Sequence, residues 1–186
     1  MNVHEAIYSR RSVRDYTDQP VLKATVEELI HAAIQAPSAI NQQPWTFAVI
    51  QDKSLLRSFS DRAKDLMAKT MHLEFLALEL REMLSDRAFN IFYNAGTLIV
   101  VFAKPVGAHP DWDCCLASQN LMLAAHDMGL ATCPIGFAWS LFESNDVKEE
   151  LGIPAEYRPI LPIIVGYPKQ PPPPVSRKEP EIHCWK

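Results

Sequence analysis

The sequence predicts one globular domain that combines helices with short strands. Its 186 residues fit a single domain. A content of 48% hydrophobic and 22% charged residues is typical of a folded chain. The apolar residues follow two patterns, with helical spacing in segments such as 111–128 and continuous β-rich runs such as 97–103. We expect residues 1–166 to form the domain and residues 167–186 to form a proline-rich arm that belongs to it.

The N-terminal half begins with two predicted helices. Asn2 and Glu5 have the spacing of an N-cap and its reciprocal partner, which indicates a short first helix. Thr25-Val26-Glu27-Glu28 has the same capping pattern and predicts the start of a second helix, which should end before Pro37. A strand is then expected at 45–50, and 54 to about 84 has the spacing of one long helix or two consecutive ones.

The C-terminal half alternates strands and helices. The expected elements are a central strand at 97–103, a helix at 111–128, a strand at 131–135, a helix at 145–151 and a strand at 159–166. Gly129 is well placed to end the longer helix. The prolines of the last strand favour an edge or bulged position. Residues 167–186 have little apolar periodicity, which predicts an extended arm.

Charge and composition argue against several classes of function. The net charge of -4 gives no general attraction to nucleic acid or to an anionic membrane. The N-terminus lacks the pattern of a signal peptide, and the apolar runs are too short to span a bilayer. The four cysteines form no Cys-x-x-Cys pair and do not match metal-ligand spacing. We therefore expect a cytoplasmic protein without a metal site.

The composition predicts that any bound phosphate is held mainly by side chains. The chain has 15 Pro but only 6 Gly, and no Gly-x-Gly occurs, which excludes the dinucleotide fingerprint and the P-loop. Arg10, Arg11, Ser12 and Arg14 place three guanidiniums and a hydroxyl within five residues. Arginine forms planar, charge-assisted hydrogen bonds to phosphate, so this segment is a candidate anion site. The alternative is a solvated basic turn.

Three further segments carry candidate binding groups. The loop at 36–45 contains a hydroxyl and three side-chain amides, which suit the edge of a heteroaromatic ring, although turn formation alone also explains them. Gly136 follows a predicted strand and would let backbone amides approach a flat ligand. Arg177 and Lys178 could close over an anion from the arm, or be solvated.

In this order and combination, the segments resemble the nitroreductase family of flavin enzymes. The family has an Arg-Arg-Ser-x-Arg motif, matched by Arg10, Arg11, Ser12 and Arg14, and an Ala-Pro-Ser-x-x-Asn-x-Gln-Pro-Trp loop, matched by Ala36, Pro37, Ser38, Asn41, Gln43, Pro44 and Trp45. Its Gly-Leu…Pro-Ile-Gly segment is matched by Gly129, Leu130, Pro134, Ile135 and Gly136. Its final strand before a tail arginine is matched by Val165, Gly166, Tyr167, Pro168 and Arg177. The resemblance covers nearly the whole chain.

The resemblance implies a fold and an assembly. The fold is an α+β three-layer sandwich with a mostly antiparallel central sheet flanked by helices. Two chains form an intertwined homodimer, in which each C-terminal arm crosses the partner subunit and adds a strand there. Two FMN molecules would bind at the interface, with residues of both subunits around each of them.

The resemblance also assigns roles to individual residues. Arg10, Ser12 and Arg177 would hold the FMN phosphate, with Arg11 in the same segment. Arg14 would approach the N1–O2 side of the isoalloxazine, where a fixed cation favours reduction. The partner subunit would contribute a loop that contacts the flavin through Pro37, Ser38 and Asn41. Pro134, Ile135 and Gly136 would lie along one flavin face, with a backbone N–H near N5.

The implied activity is an oxidoreductase with a ping-pong cycle. NAD(P)H would deliver a hydride, and two electrons would then pass to a nitroaromatic, a quinone or a related small acceptor. The segment 57–94 would cover the open face, and its candidate pocket residues are Phe75, Arg81, Phe89 and Tyr93. The alternatives within the fold are dehalogenation, flavin fragmentation and dehydrogenation of peptide derivatives. Outside it they are a flavin-storing protein without turnover and a polyproline ligand at 171–174.

Overall fold

The structure is a computed structural model that describes residues 1–70 and 78–186. The helices of that part of the chain are α1 (Val3–Ser9), α2 (Lys23–Ala33), α3 (Lys53–Thr70), α4 (Leu78–Ser85), α5 (Pro110–Asp127), α6 (Trp139–Glu143) and α7 (Asn145–Glu150). Its strands are β1 (Trp45–Ile50), β2 (Thr97–Ala103), β3 (Ala131–Pro134) and β4 (Arg158–Gly166). None of these helices is long and apolar enough to cross a membrane.

The four strands form one antiparallel sheet in the order β1-β2-β4-β3. All seven residues of β2 are buried, as its uninterrupted apolar run predicts for a central strand covered on both faces. The four-stranded antiparallel sheet and its helices confirm the predicted α+β class.

Helices cover both faces of the sheet and give the domain three layers. Because successive side chains of a strand point to opposite faces, Val100 packs in one hydrophobic cluster and Ile99 and Val101 in the other. The first cluster joins the sheet to α3, α6 and α7, with Phe59 and Phe142 in edge-to-face contact at 5.6 Å. The second cluster joins the sheet to α2 and α5. The described residues therefore contain two cores, one on each side of the sheet.

The first two helices start differently from each other. The capping box predicted for α1 is present, since Asn2 accepts from the Glu5 N–H at 2.9 Å and Glu5 accepts from the Asn2 N–H at 3.0 Å. The box predicted at Thr25 is wrong, because the N-cap of α2 is Leu22, three residues earlier, and Leu22 forms no side-chain cap. Val21 is buried and its carbonyl accepts from the Gln51 side chain at 2.8 Å. These contacts fix the chain just before α2 and so favour the earlier start of the helix.

The last strand is central, so the predicted edge position is wrong and the predicted bulge is correct. β4 pairs with β2 on one side and β3 on the other. Its register shifts between Val101 and Phe102, which leaves Ile160 as the extra residue between Leu161 and Pro159. A bulge interrupts the ladder locally, which lets a strand containing prolines stay inside a sheet. Burial of side chains on both faces of β4 stabilises the strand more than the loss of the hydrogen bonds that its prolines cannot donate destabilises it.

Candidate functional site

The arginine-rich segment leaves α1 and runs beside β3. Arg10 donates its backbone N–H to Ala6 O at 3.0 Å, and from there the chain is extended. Ser12 forms a parallel bridge with Thr132, and Val13 donates its N–H to Thr132 O at 3.1 Å. Val13 is buried. Since alternate residues of an extended chain point to opposite sides, anchoring Val13 turns its neighbours away from the core.

Arg10 is a half-buried cation with unused donor capacity. Its Nη1 is buried and has no hydrogen-bond partner among the described residues, and the same is true of the Thr132 hydroxyl on the adjoining strand. Burial lowers the pKa of Arg10, and the nearby guanidiniums of Arg11 and Arg177 lower it further. The fold thus brings two segments far apart in the chain, the N-terminal motif and the arm, into one cationic cluster. Unpaired buried donors and mutual repulsion are the features that a bound anion would relieve.

The other residues of the motif differ in how free they are. Arg11 Nη1 donates to the carbonyls of Tyr8 and Arg10, at 2.7 and 2.8 Å, whereas its Nε is buried and has no partner among the described residues. Ser12 is exposed, and so is Arg14. The fold therefore leaves the Ser12 hydroxyl and the Arg14 guanidinium accessible, whereas part of Arg11 has a structural role.

Cys133 connects the motif to the end of β3. Burial raises the pKa of its thiol, while the nearby Arg14, Ser12 and Arg10 act in the opposite direction. This buried cysteine therefore lies within electrostatic range of the three side chains predicted to face the ligand.

Residues 134–136 end β3 beside this cluster. Ile135 is buried and donates its N–H to Pro162 O at 2.8 Å, which fixes the strand end. Gly136 is exposed and opens a 3-10 helix over Gly136–Ala138. N–H groups in the first turn of a helix have no intrahelical acceptor. A Cβ built on Gly136 would have no described atom within 4 Å, so a flat ligand could approach this backbone closely.

The arm starts beside the same segment. Thr17 donates its N–H to Tyr167 O at 2.8 Å, and Lys169 binds Asp15 through its backbone at 3.2 Å and its ammonium at 2.8 Å. A cavity of about 310 Å³ lies between Arg10, Arg11, His126 and the prolines of the arm. Another, of about 370 Å³, lies between Ser12, Arg14 and the arm. Residues 173–186 are all exposed.

The loop predicted to bind a ring lies elsewhere. The Ala39 N–H donates to the Asp113 carboxylate near the start of α5, at 3.2 Å to the nearer oxygen. Ser38 Oγ accepts from the Gln43 N–H at 3.0 Å, and Asn41 Oδ1 accepts from the Gln43 side chain at 3.1 Å. Three non-glycine residues, Ile40, Asn41 and Gln43, have positive φ angles. The turn chemistry considered as the alternative for this loop is therefore present, although the backbone is strained.

Helix α5 separates the two groups of predicted site residues. The loop contacts Asp113, whereas the arginine segment lies at the other end, where Ser9 Oγ and His126 Nε2 are 2.7 Å apart. At 1.5 Å per residue, Asp113 and His126 are about 20 Å apart along the helix. One chain brings together Arg10, Arg11, Ser12, Arg14, Pro134, Ile135, Gly136 and Arg177. It does not bring Pro37, Ser38 and Asn41 to that cluster.

Of the pocket candidates in segment 57–94, Tyr93 reaches the cluster. The Arg14 guanidinium carbon lies 5.8 Å from the centre of the Tyr93 ring, and Phe89 packs edge-on against that ring at 5.4 Å. Arg81 lies on α4 and is half-buried. Phe75 lies outside the described residues.

Thr132 lies in the predicted strand segment that leads to Gly136, but neither Thr132 nor His126 was among the residues predicted to contact the ligand. A polar residue inside an otherwise apolar strand is a sequence signal for Thr132. In the part of the chain that the structure describes, no group of His, Cys, Asp or Glu side chains is arranged to hold a metal ion.

Comparison with known proteins identifies the family. The model of the nitroreductase family matches residues 7–167. The chain belongs to the nitroreductase family. An Archaeoglobus fulgidus protein, whose name gives NADH dehydrogenase/NAD(P)H nitroreductase as a provisional function, is 32% identical over 88% of this chain and 83% of its own. An iodotyrosine deiodinase of Thermotoga neapolitana is 27% identical over 95% of this chain and 94% of its own.

Solved nitroreductases share this fold over their full length. A Desulfitobacterium hafniense nitroreductase with bound FMN superposes with a TM-score of 0.84 at 26% identity and covers 100% of both chains. A Bacteroides fragilis nitroreductase with bound FMN superposes with a TM-score of 0.82 at 25% identity, over 100% of this chain and 98% of the other. The resemblance inferred from the motifs is thus confirmed for family and fold.

Proposed function

We propose that this nitroreductase-family chain is an FMN-dependent oxidoreductase that takes a hydride from NAD(P)H and reduces a nitroaromatic, a quinone or a related small acceptor. The observation that carries the proposal is the half-buried Arg10, whose Nη1 has no partner among the described residues and which lies within electrostatic range of Arg177. It is supported by family membership and by the FMN bound in nitroreductases of the same fold.

The cationic cluster fits the FMN phosphate. A phosphate dianion would accept from Arg10 Nη1, relieve the repulsion between Arg10 and Arg177, and accept from the exposed Ser12 hydroxyl. Arg11 would contribute mainly charge and backbone, because its Nη1 already binds two carbonyls. Charge-assisted side-chain bonds would thus replace the glycine-rich loop that this chain lacks.

The ring site would be built by the residues beyond the phosphate cluster. The first-turn N–H of Gly136 offers a donor for the flavin N5, and Pro134 and Ile135 would line one face. Exposed Arg14 would place its positive charge at the N1–O2 side. When bound, FMN supplies two-electron chemistry, accepting hydride from NAD(P)H and passing the electrons on to the acceptor.

A complete site would need a second copy of the chain. Pro37, Ser38 and Asn41 lie about 20 Å along α5 from the arginine cluster, so they would contact FMN from the partner subunit. Apolar side chains exposed beside this loop, including Ile40 and Trp112, would be covered in such a homodimer. The exposed arm would cross the partner, which accounts for its lack of buried residues beyond 172.

Reductive dehalogenation is the second candidate. It is favoured by the iodotyrosine deiodinase of T. neapolitana, which matches this chain over nearly its full length. Phosphate and ring contacts would be the same in both cases. The two candidates differ in the acceptor, whose pocket would lie near Phe89 and Tyr93.

The test is reduction and reoxidation of the purified protein. We expect it to retain FMN, to bleach anaerobically with NADH or NADPH, and to recolour with a nitroarene or a quinone. Recolouring by a halotyrosine with halide release, but not by nitroarenes or quinones, would favour the second candidate. Bleaching without recolouring by any acceptor would indicate a flavin-storing protein. A protein that cannot bind added FMN would overturn the proposal.

A further inference from the structure

The loop after α4 is fixed to α3 by buried polar contacts. Lys64 is 6% exposed, and its ammonium donates to the carbonyls of Asp86 at 3.1 Å and Phe89 at 2.6 Å. Four residues earlier on α3, Ser60 Oγ accepts from the Ile91 N–H at 3.0 Å. A buried ammonium that binds backbone carbonyls leaves little freedom to the segment that provides them. The path of the chain into residues 90–94 is therefore determined by α3.

The turn at 90–94 holds two non-glycine residues in the left-handed region. Tyr93 has φ 52° and Asn94 has φ 55°. Asn90 supports both: its side chain accepts from the Phe92 N–H at 2.9 Å and donates to Asn94 Oδ1 at 3.2 Å, and its carbonyl accepts from the Tyr93 N–H at 2.8 Å. A positive φ is unfavourable for an aromatic residue and persists where the surroundings determine it. Strain of this kind at a bulky residue points to a use for its side chain.

The Tyr93 ring is directed at the cation of the arginine motif. The Arg14 guanidinium carbon lies 5.8 Å from its centre, within cation–π distance, and Phe89 packs edge-on against the ring at 5.4 Å. The Arg14 side chain is exposed. A fixed aromatic face restricts where its guanidinium can lie.

We propose that Tyr93 is a positioning residue, which holds the Arg14 guanidinium at the pyrimidine edge of the flavin and thereby raises the flavin reduction potential. The inference rests on the proposed function, because it needs FMN beside Arg14. A cation held near N1–O2 stabilises the reduced form more than the oxidised form. A guanidinium that is free to turn into solvent stabilises the reduced form less, because water and salt screen its charge. The ring acts through Arg14, so its effect should vanish when Arg14 is absent.

The experiment measures the midpoint potential of the unaltered holoprotein and of five variants. Tyr93→Leu should lower it by about 15 to 30 mV, which is about a threefold to tenfold change in the reduced-to-oxidised equilibrium of a two-electron couple. Tyr93→Phe, which keeps the ring, should leave it unchanged. Arg14→Gln should lower it at least as much, and adding Tyr93→Leu to Arg14→Gln should have no further effect. Tyr157→Leu, which removes a half-buried ring from the same core cluster, is the matched control and should not shift it.

The outcomes separate this inference from the proposed function. An unchanged potential in Tyr93→Leu beside a lowered one in Arg14→Gln would overturn the role of Tyr93 alone. Additive shifts in the double variant would also overturn it, because the ring would then act independently of Arg14. No effect of Arg14→Gln, or no FMN in the unaltered protein, would instead count against the flavin site proposed above. Thermal unfolding of each holoprotein tells a local shift from loss of the fold.

Discussion

Replacing Arg10 by Met should weaken FMN binding and stabilise the protein without FMN. The substitution removes the charge and keeps an apolar stem of similar reach. A hydrogen bond to a charged group contributes about 1.5 to 3 kcal/mol, which predicts about 10- to 150-fold weaker FMN binding. In the protein without FMN, Nη1 is buried, has no partner in the part of the chain that the structure describes, and lies near two other guanidiniums. Removing it should stabilise that form by about 1 kcal/mol and raise its Tm by about 2 to 4 °C.

The assay has two parts and a matched control. Titration of the flavin-free protein with FMN, followed by fluorescence quenching, gives the Kd, and thermal unfolding of the same preparation gives the Tm. Arg11→Met is the control, because Arg11 Nη1 binds the carbonyls of Tyr8 and Arg10, although Arg11 Nε has no partner among the described residues. This variant should lose stability without FMN, by about 1 kcal/mol, and lose less FMN affinity than Arg10→Met.

The two parts can refute the reasoning separately. An unchanged FMN affinity in Arg10→Met would show that this guanidinium does not bind the phosphate. A lower Tm of the flavin-free variant would show that Arg10 stabilises the fold, contrary to its unpaired Nη1. Opposite shifts of affinity and stability are the signature of a side chain that the fold positions for a ligand at a cost in stability.

Three further predictions address the C-terminal arm, the Lys64 contacts to the loop after α4, and the pH dependence of stability. Truncation before Pro168 removes Arg177 and the Lys169–Asp15 contacts. It should yield a colourless, poorly dimeric protein by absorbance and sedimentation, and a flavin-bound monomer would contradict the exchanged arm. Lys64→Met leaves backbone carbonyls unpaired, so urea unfolding should show a loss of about 2 to 3 kcal/mol; an unchanged midpoint would contradict this anchoring. Burial, then Arg10 and Arg11, lower the pKa of His126 below its ordinary value, so the unfolded chain takes up the proton first as pH falls below about 6.5. The stability of the flavin-free protein should therefore decrease there, and decrease less in His126→Gln; equal pH profiles would argue against this linkage.

The elements predicted best were those with an uninterrupted local signal. The apolar run 97–103 became the central strand with the predicted bounds, and the Asn2–Glu5 pair capped the first helix. The second capping pattern failed because a buried residue, Val21, and a side chain from beyond the next strand set the start of that helix. Local capping energies are about 1 kcal/mol, which tertiary burial easily exceeds.

The candidate site shows the same limit more sharply. The motifs predicted a set of binding residues, and eight of these lie in one cluster, while their contacts to a ligand stay a prediction. The motifs do not reveal that Arg10 Nη1 is unpaired or that Tyr93 faces Arg14. Both depend on packing between segments distant in the chain, for which the sequence has no local signal.

By itself, the sequence determined which side chains are available for binding and which family the chain resembles. Few glycines and clustered arginines indicate that any phosphate is bound mainly by side chains, because the chain has no glycine-rich phosphate loop. Only the tertiary structure decided that the arginine segment and the ring loop lie at opposite ends of α5, about 20 Å apart. A rigid helix sets this separation. It supports a second chain as the source of the missing loop, whose residues alone predict neither distance nor partner.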